Sequence, residues 1–360
     1  MMHRLYRITV ACKQFVRTDS NKQSCRLLLQ NARPACCAFP SNEPRSRSQC
    51  TTTDFQTARR YVPRRTLMYV PGHDLKKLHK IPKLGVDCAV LECEDGVALN
   101  KKAEARENIR GMLDELGEVE GVDIAVRVNS VSSGLMEQDL NVIMTAQRLP
   151  ETILLPKTDT VEDVILFTDR LRAALGDRTQ GYCPHLITYV ESAEGLMNMT
   201  DILRRAQAYS MEGVYNLDGV VFGSDDFCAD IGAERSVDAS ELTYARQKIV
   251  MVAKGYRIQA IDMVFTDYKD AEGLRVQSEQ GARKGYTGKQ LIHPNQVSVV
   301  RDAFTPSSER VDWATELIYA FQEHQNSGVG AFTFRGNMVD KPLLLQARNV
   351  LHTVQNVKRL

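Results

Sequence analysis

No run of about 18 apolar residues occurs in the 360-residue chain, which excludes a membrane-spanning helix on length grounds. Net charge is nearly absent at +1, so no global field draws the protein toward nucleic acid or an acidic membrane. Zinc-type spacing is missing too. Of nine cysteines, five (Cys12, Cys25, Cys36, Cys37, Cys50) fall near the N-terminus. The other four (Cys88, Cys93, Cys183, Cys228) are scattered and read as buried thiols of a reduced compartment. No glycine-rich phosphate turn follows an early strand, which counts against an open dinucleotide-binding sheet. Acids are scarce at the start: residues 1–53 contain Asp19 and Glu43 against nine Lys and Arg, with scattered Ser and Thr and no compact apolar segment. Residues 1–58 therefore read as a mitochondrial-type transit leader, cleaved between about 35 and 60, or else as a basic arm.

What is present is an alternation. Short apolar, β-branched runs at 66–70, 88–91, 124–128, 152–155, 186–190, 219–222, 258–264 and 288–292 each end in polar residues. Helical periodicity fills the gaps at 103–116, 140–149, 161–175, 240–254 and 271–282, with Asp159 and Asp238 as expected N-caps. Eight strand–helix units predict an α/β fold, a (β/α)₈ TIM barrel over residues 59–305, with an open doubly wound sheet as the alternative. Residues 306–360 form an extension, with helices expected at 309–325 and 342–357, that acts as a lid on a barrel mouth or packs on a neighbouring subunit.

A TIM barrel does its chemistry at the C-terminal strand ends. There the sequence places Glu94, Asp95, Arg127, Lys157, Glu191, Asp226, Asp262 and His293. Singly, each acid reads as a helix cap or a loop residue; together they converge on one face. Glu191 and Asp226 follow neighbouring strands and suit Mg²⁺, which takes one or two carboxylates and completes its shell with water and substrate oxygens. Glu94 and Asp95 would support them from behind. Arg127 suits a substrate carboxylate gripped by two parallel hydrogen bonds, or an ion pair with Glu94 or Asp95. Lys76-Lys77-Leu78-His79-Lys80, with Arg64-Arg65 nearby in sequence, reads as a phosphate-binding patch at the mouth or as a solvated helix face.

Seven segments in order carry a family resemblance: LMYVPG (67–72), LECEDGV (91–97), Arg127-Val128-Asn129, Leu155-Pro156-Lys157, VESAEG (190–195), VFGSDDF (221–227) and IHPNQ (292–296). The chain resembles, over about residues 60–357, the citrate lyase β-subunit-like family of the HpcH/HpaI aldolase superfamily. The resemblance implies Mg²⁺-dependent cleavage of citramalyl-CoA to pyruvate and acetyl-CoA. It also implies condensation of acetyl-CoA or propionyl-CoA with small 2-oxo acids such as glyoxylate, and malyl-CoA thioesterase activity. It assigns Glu191 and Asp226 to the metal, Arg127 to the substrate carboxylate, and Tyr69, Lys76 and Lys80 to the CoA side. Ile261 and Asp262 become further substrate contacts, and Asp340 the acid/base. It further implies a homotrimer whose extension closes an active site. Two departures stand out: Glu92 where relatives commonly have Asp, and Ser224-Asp225 where Gly-Glu is common. A mainly condensing enzyme, an aldolase of free 2-oxo acids without CoA, and a non-catalytic binding barrel are the competing readings.

Overall fold

The computed structural model describes residues 62–326, 332–339 and 341–357. The basic leader and Asp340 lie outside the described residues. Eight strands follow in chain order: β1 (Thr66–Pro71), β2 (Cys88–Glu92), β3 (Asp123–Arg127), β4 (Thr152–Leu155), β5 (His185–Val190), β6 (Asn216–Phe222), β7 (Gln259–Asp262) and β8 (Gly288–Leu291). Each pairs in parallel with the next, and β8 returns to β1, so the sheet is a closed barrel and the open alternative falls.

The helices are α1 (Leu75–Leu78), α2 (Lys102–Leu116), α3 (Met136–Ile143), α4 (Val161–Leu175), α5 (Ala193–Met211), α6 (Ser224–Ile231), α7 (Thr243–Gly255), α8 (Ala271–Lys284) and α9 (Val297–Ala303). The expectation for 140–149 was displaced. The buried residues Met136, Leu140 and Ile143 start the apolar stripe four residues earlier, Glu137 and Asp139 suit a first turn, and the helix ends at Ile143 with Met144 as its C-cap. The cap of α4 is Thr160, not Asp159: its hydroxyl accepts from the Asp163 N–H at 3.3 Å, and the Asp163 carboxylate accepts from the Thr160 N–H at 2.8 Å. Asp238 caps no helix: it accepts from the Ser240 N–H at 3.2 Å, while the N-cap of the 3₁₀ turn that follows (Ser240–Leu242) is Ala239, and α7 begins beyond that turn.

The two faces of the sheet have separate cores. Between strands and helices lies the larger one. Inside the barrel pack Leu67, Cys88, Val90, Ala125, Leu154, Ile187, Tyr189, Val221 and Ile261, with Tyr69 against them. The period-two alternation of strand side chains produces this division. The same alternation carries Tyr69, Glu92, Arg127 and Gln290 inward at the upper ends of their strands.

The opposite end is plugged. Arg64, fully buried just before β1, donates Nε to Asp123 at 2.6 Å and Nη2 to Thr152 at 2.9 Å, and pairs with Asp218 through Nη1. Burial raises the Asp218 carboxyl, yet Arg64 and His185 outweigh it and hold the group down at about 2. Arg65 pairs with Asp87 at 2.8 Å. Both arginines precede β1 and so sit at the N-terminal strand ends, which removes them from the mouth patch with which the sequence associated them. Of the four later cysteines, Cys88, Cys93 and Cys228 are buried and Cys183 is exposed.

The extension has its own small core. Helix α10 (Ser308–Asn326), an antiparallel hairpin of β9 (Phe332–Phe334) and β10 (Asn337–Val339), and α11 (Lys341–Val357) bury Ala314, Leu317, Val339 and Ala347 together.

Candidate active site

The C-terminal strand ends surround a cavity of about 640 Å³. Its lining includes Tyr69, Glu92, Arg127, Glu191 and Gln290 from strand ends, Asp226 from the first turn of α6, and Lys77 and Lys80 at the rim. Every described residue that lines it belongs to the barrel.

Arg127 is the best-determined group. Its Nε lies 2.6 Å from Glu92 Oε2, its Nη1 3.0 Å from Glu94 Oε2, and its guanidinium carbon 4.5 Å above the Tyr69 ring. Nη2 has no hydrogen-bond partner among the described residues, leaving one edge of the fork for a ligand carboxylate. Both sequence readings of Arg127 are therefore compatible in one geometry, although the ion-pair partners are Glu92 and Glu94, with Asp95 elsewhere. Burial raises the Glu92 carboxyl despite the contact with Arg127.

The floor is a hydrogen-bonded chain. The Tyr69 hydroxyl lies 2.7 Å from that of Tyr189 and donates to Gln290 Oε1 at 2.8 Å. Gln290 Nε2 donates to the carbonyls of Phe222 (2.8 Å) and Asp262 (3.1 Å), tying β1, β5, β6, β7 and β8 together beneath the cavity.

Glu191 follows β5 and is held from two sides. Oε2 accepts from the Lys157 N–H at 2.7 Å, and the bare Cα of Gly223 lies against the rest of the carboxyl. Burial, with Glu94 and Asp226 adding to it and Arg127 opposing, pushes Glu191 up to about 8. Asp226 is half-exposed in the first turn of α6, where the helix dipole favours a carboxylate. Lys157 Nζ lies 3.0 Å from Glu94, 3.1 Å from Asp95 and 3.9 Å from Asp226.

Among the described residues no group of three or more His, Cys, Asp or Glu side chains is arranged as a ready metal cage. A Mg²⁺ ion does not require one, since it keeps several waters and substrate oxygens beside one or two carboxylates. The donor set fits such an ion. Glu191 and Asp226 present hard carboxylate oxygens on adjacent elements. Glu94 Oε2 is buried with no hydrogen bond, since Arg127 Nη1, though close, is out of line for one.

Not every expected residue reaches the cavity. Lys80 lines it with Lys77, while Lys76 is exposed and outside the lining. Ile261 is sealed in the barrel interior. Asp262, one residue later, points outward by the strand alternation, and its fully buried carboxylate pairs with Arg246 at 3.1 Å from Nε. Only its backbone carbonyl serves the site. Conversely, Glu92, Tyr189 and Gln290 were not singled out as site residues. Their signal was parity: Glu92 shares its face with Cys88 and Val90, and Tyr189 with Ile187. Ile292 and His293 also line the mouth, His293 stacking on Tyr268 at 4.6 Å.

Comparison with known proteins agrees with this geometry. Residues 65–294 match the model of the HpcH/HpaI aldolase/citrate lyase family. Human mitochondrial citramalyl-CoA lyase is 48% identical over 83% of this chain and 88% of its own length. The citrate lyase β subunit of Escherichia coli K12 is 28% identical, covering 80% and 92%. The crystal structure of CitE from Mycobacterium tuberculosis, in complex with magnesium, acetoacetate and coenzyme A, superposes with a TM-score of 0.65 at 26% identity over 81% of this chain and 98% of that one. A closed barrel with acids, arginine and lysines gathered at one mouth, and these matches across the barrel, make the chain a member of the HpcH/HpaI aldolase/citrate lyase family.

Proposed function

We propose that the chain is a Mg²⁺-dependent lyase that cleaves (3S)-citramalyl-CoA to pyruvate and acetyl-CoA. One observation carries the reading: a single cavity combines two hard carboxylate donors, an arginine with a free edge, and lysines at its rim. These match the needs of a substrate with a 2-hydroxy acid at one end and a nucleotide handle at the other.

Glu191 and Asp226 hold the metal, with Glu94 and Asp95 behind them. Bound there, Mg²⁺ supplies Lewis-acid stabilisation of the negative charge that develops on the substrate's hydroxyl oxygen. Arg127 takes the substrate carboxylate through its unpaired Nη2 edge, while Glu92, Glu94 and Tyr69 fix the guanidinium plane. This holds the scissile bond in place without a conformational search. Lys80 and Lys77 meet the phosphates, and Tyr69 adds a ring wall. As the carbon–carbon bond breaks, the hydroxyl proton passes to water, and the released thioester carbon takes a proton from a protonated carboxyl that solvent then recharges. Asp340 is the donor, and in the condensing direction the same carboxylate removes a proton from acetyl-CoA or propionyl-CoA before attack on glyoxylate. Thioester hydrolysis of malyl-CoA is a side reaction of the same site.

Following the family resemblance, the Asp340 carboxylate is read as reaching the chemistry from the extension of a neighbouring copy in a homotrimer. The acid-poor leader and the mitochondrial relative support import into the mitochondrial matrix.

The test is incubation of the purified protein with citramalyl-CoA and malyl-CoA, with and without Mg²⁺, and identification of products by mass. Pyruvate and acetyl-CoA formed only with Mg²⁺ is the expected outcome. Turnover that survives in Glu191→Gln and Asp226→Asn rejects the metal assignment. Mixing inactive Asp340→Asn with inactive Glu191→Gln subunits should restore partial activity; no recovery rejects the shared site.

A further inference from the structure

Lys157 is held in an uncommon way. Its φ is +46°, in the left-handed region that non-glycine residues other than Asn and Asp seldom occupy. A backbone outlier beside a cavity points to a role for the residue that occupies it. That conformation directs two parts of one residue at the acids. The N–H lies on Glu191 Oε2 at 2.7 Å, and the ammonium sits within 3.0 Å of Glu94, 3.1 Å of Asp95 and 3.9 Å of Asp226. Arg127 is already engaged with Glu92 and the other oxygen of Glu94. Lys157 is thus the cation that faces the remaining carboxylates.

We propose that the Lys157 ammonium is the counter-cation of the metal-free centre, drawing Glu94, Asp95 and Asp226 together, and that the divalent ion competes with it for Asp226. The inference rests on the Mg²⁺ reading of Glu191 and Asp226. Like charges gathered in a partly dehydrated pocket repel, and a single ammonium within 4 Å of three carboxylates offsets that repulsion. It also opposes a second cation at the same place. Lys157 is therefore a positioning residue with two separable parts: a backbone that aims Glu191, and a charge that keeps the acids assembled without the ion while moderating their affinity for it.

The test separates charge from backbone. Lys157→Asn keeps a residue tolerant of the left-handed region and removes the charge; Lys157→Gly does so with no backbone strain and stands in should the first variant fold poorly. Lys157→Arg keeps a cation. Mg²⁺ binding is measured by titration calorimetry without substrate, and thermal melting is followed in EDTA and in saturating Mg²⁺. The neutral variants should bind Mg²⁺ about tenfold more tightly than the unsubstituted protein. They should melt lower in EDTA and gain more from added Mg²⁺, and Lys157→Arg should restore both values. Neutral variants that bind Mg²⁺ equally or more weakly overturn the inference and leave the metal reading standing. An unsubstituted protein that takes up no Mg²⁺ overturns the metal reading, and the inference with it.

Discussion

Gly223→Ala is the most informative single change, because it alters no ligand and no charge. Gly223 has φ −83°, which alanine adopts freely, so backbone strain is not at issue. The difficulty is space. A Cβ there would meet the Glu191 side chain, its Cγ at 2.5 Å and Cδ at 2.8 Å, where carbon atoms settle at about 3.5 Å. The carboxylate must retreat by about 1 Å, and that motion strains the 2.7 Å hydrogen bond from Lys157. Misplacement on that scale costs roughly 10²-fold in rate, or about 2.7 kcal/mol of transition-state stabilisation. Overpacking costs the fold about 1–3 kcal/mol, less than the protein's total stability. The expected result is a folded protein with kcat/KM down about 10²-fold and weakened Mg²⁺ binding. Glu191→Asp added to Gly223→Ala shortens the arm by one methylene, so the double variant should lose less than the sum of the single losses. Unchanged kcat/KM and unchanged Mg²⁺ affinity in Gly223→Ala would refute the view that the bare Cα sets the position of Glu191.

Other expectations concern the plug and the floor. Arg64→Met leaves Asp123 and Asp218 without their partner and should lower stability by about 3–5 kcal/mol in urea unfolding, with kcat per folded molecule little changed. Asp218 titrates at about 2 in the fold against an ordinary value of 3.8, so its contribution is present above about pH 4 and is lost as pH falls toward 2. Linkage makes that about 2 kcal/mol, and Asp218→Asn should flatten the acid limb of the stability curve in that window. Gln290→Leu removes the acceptor for Tyr69 and the donor to two strand-end carbonyls. It should lower kcat about tenfold through misplacement of Arg127 and its aromatic support, with Mg²⁺ affinity retained; an unaltered kcat would show that the floor positions nothing.

The barrel was legible in the sequence because its period is short and repeated. Runs such as 152–155 and helix 161–175 coincide with the observed β4 and α4. The position of Glu191 and Asp226 at the mouth was legible for the same reason, since a strand-end position in a barrel has a defined destination. What escaped is finer than one residue. Asp262 and Glu92 each end a strand, but one faces the helices and the other the cavity. That choice depends on counting inward positions from Cys88 and Ile261, not on the presence of an acid. Lys76 escaped similarly: on a helix as short as α1, Leu75–Leu78, adjacent lysines face different directions, and Lys77 and Lys80 reach the mouth. The left-handed backbone of Lys157 had no sequence signal, because lysine has none of the local preference by which Gly, Asn or Asp mark such a position.

The Arg64 plug also governs traffic. With that end closed and the interior packed by Leu67, Val90, Leu154 and Val221, the chamber is a cul-de-sac: whatever enters by the mouth leaves by the mouth. On the proposed reading, a small acid held by Arg127 near the floor enters first and leaves last, and the thioester above it goes before it. Products therefore queue, and product-inhibition patterns should report an ordered release with acetyl-CoA ahead of pyruvate.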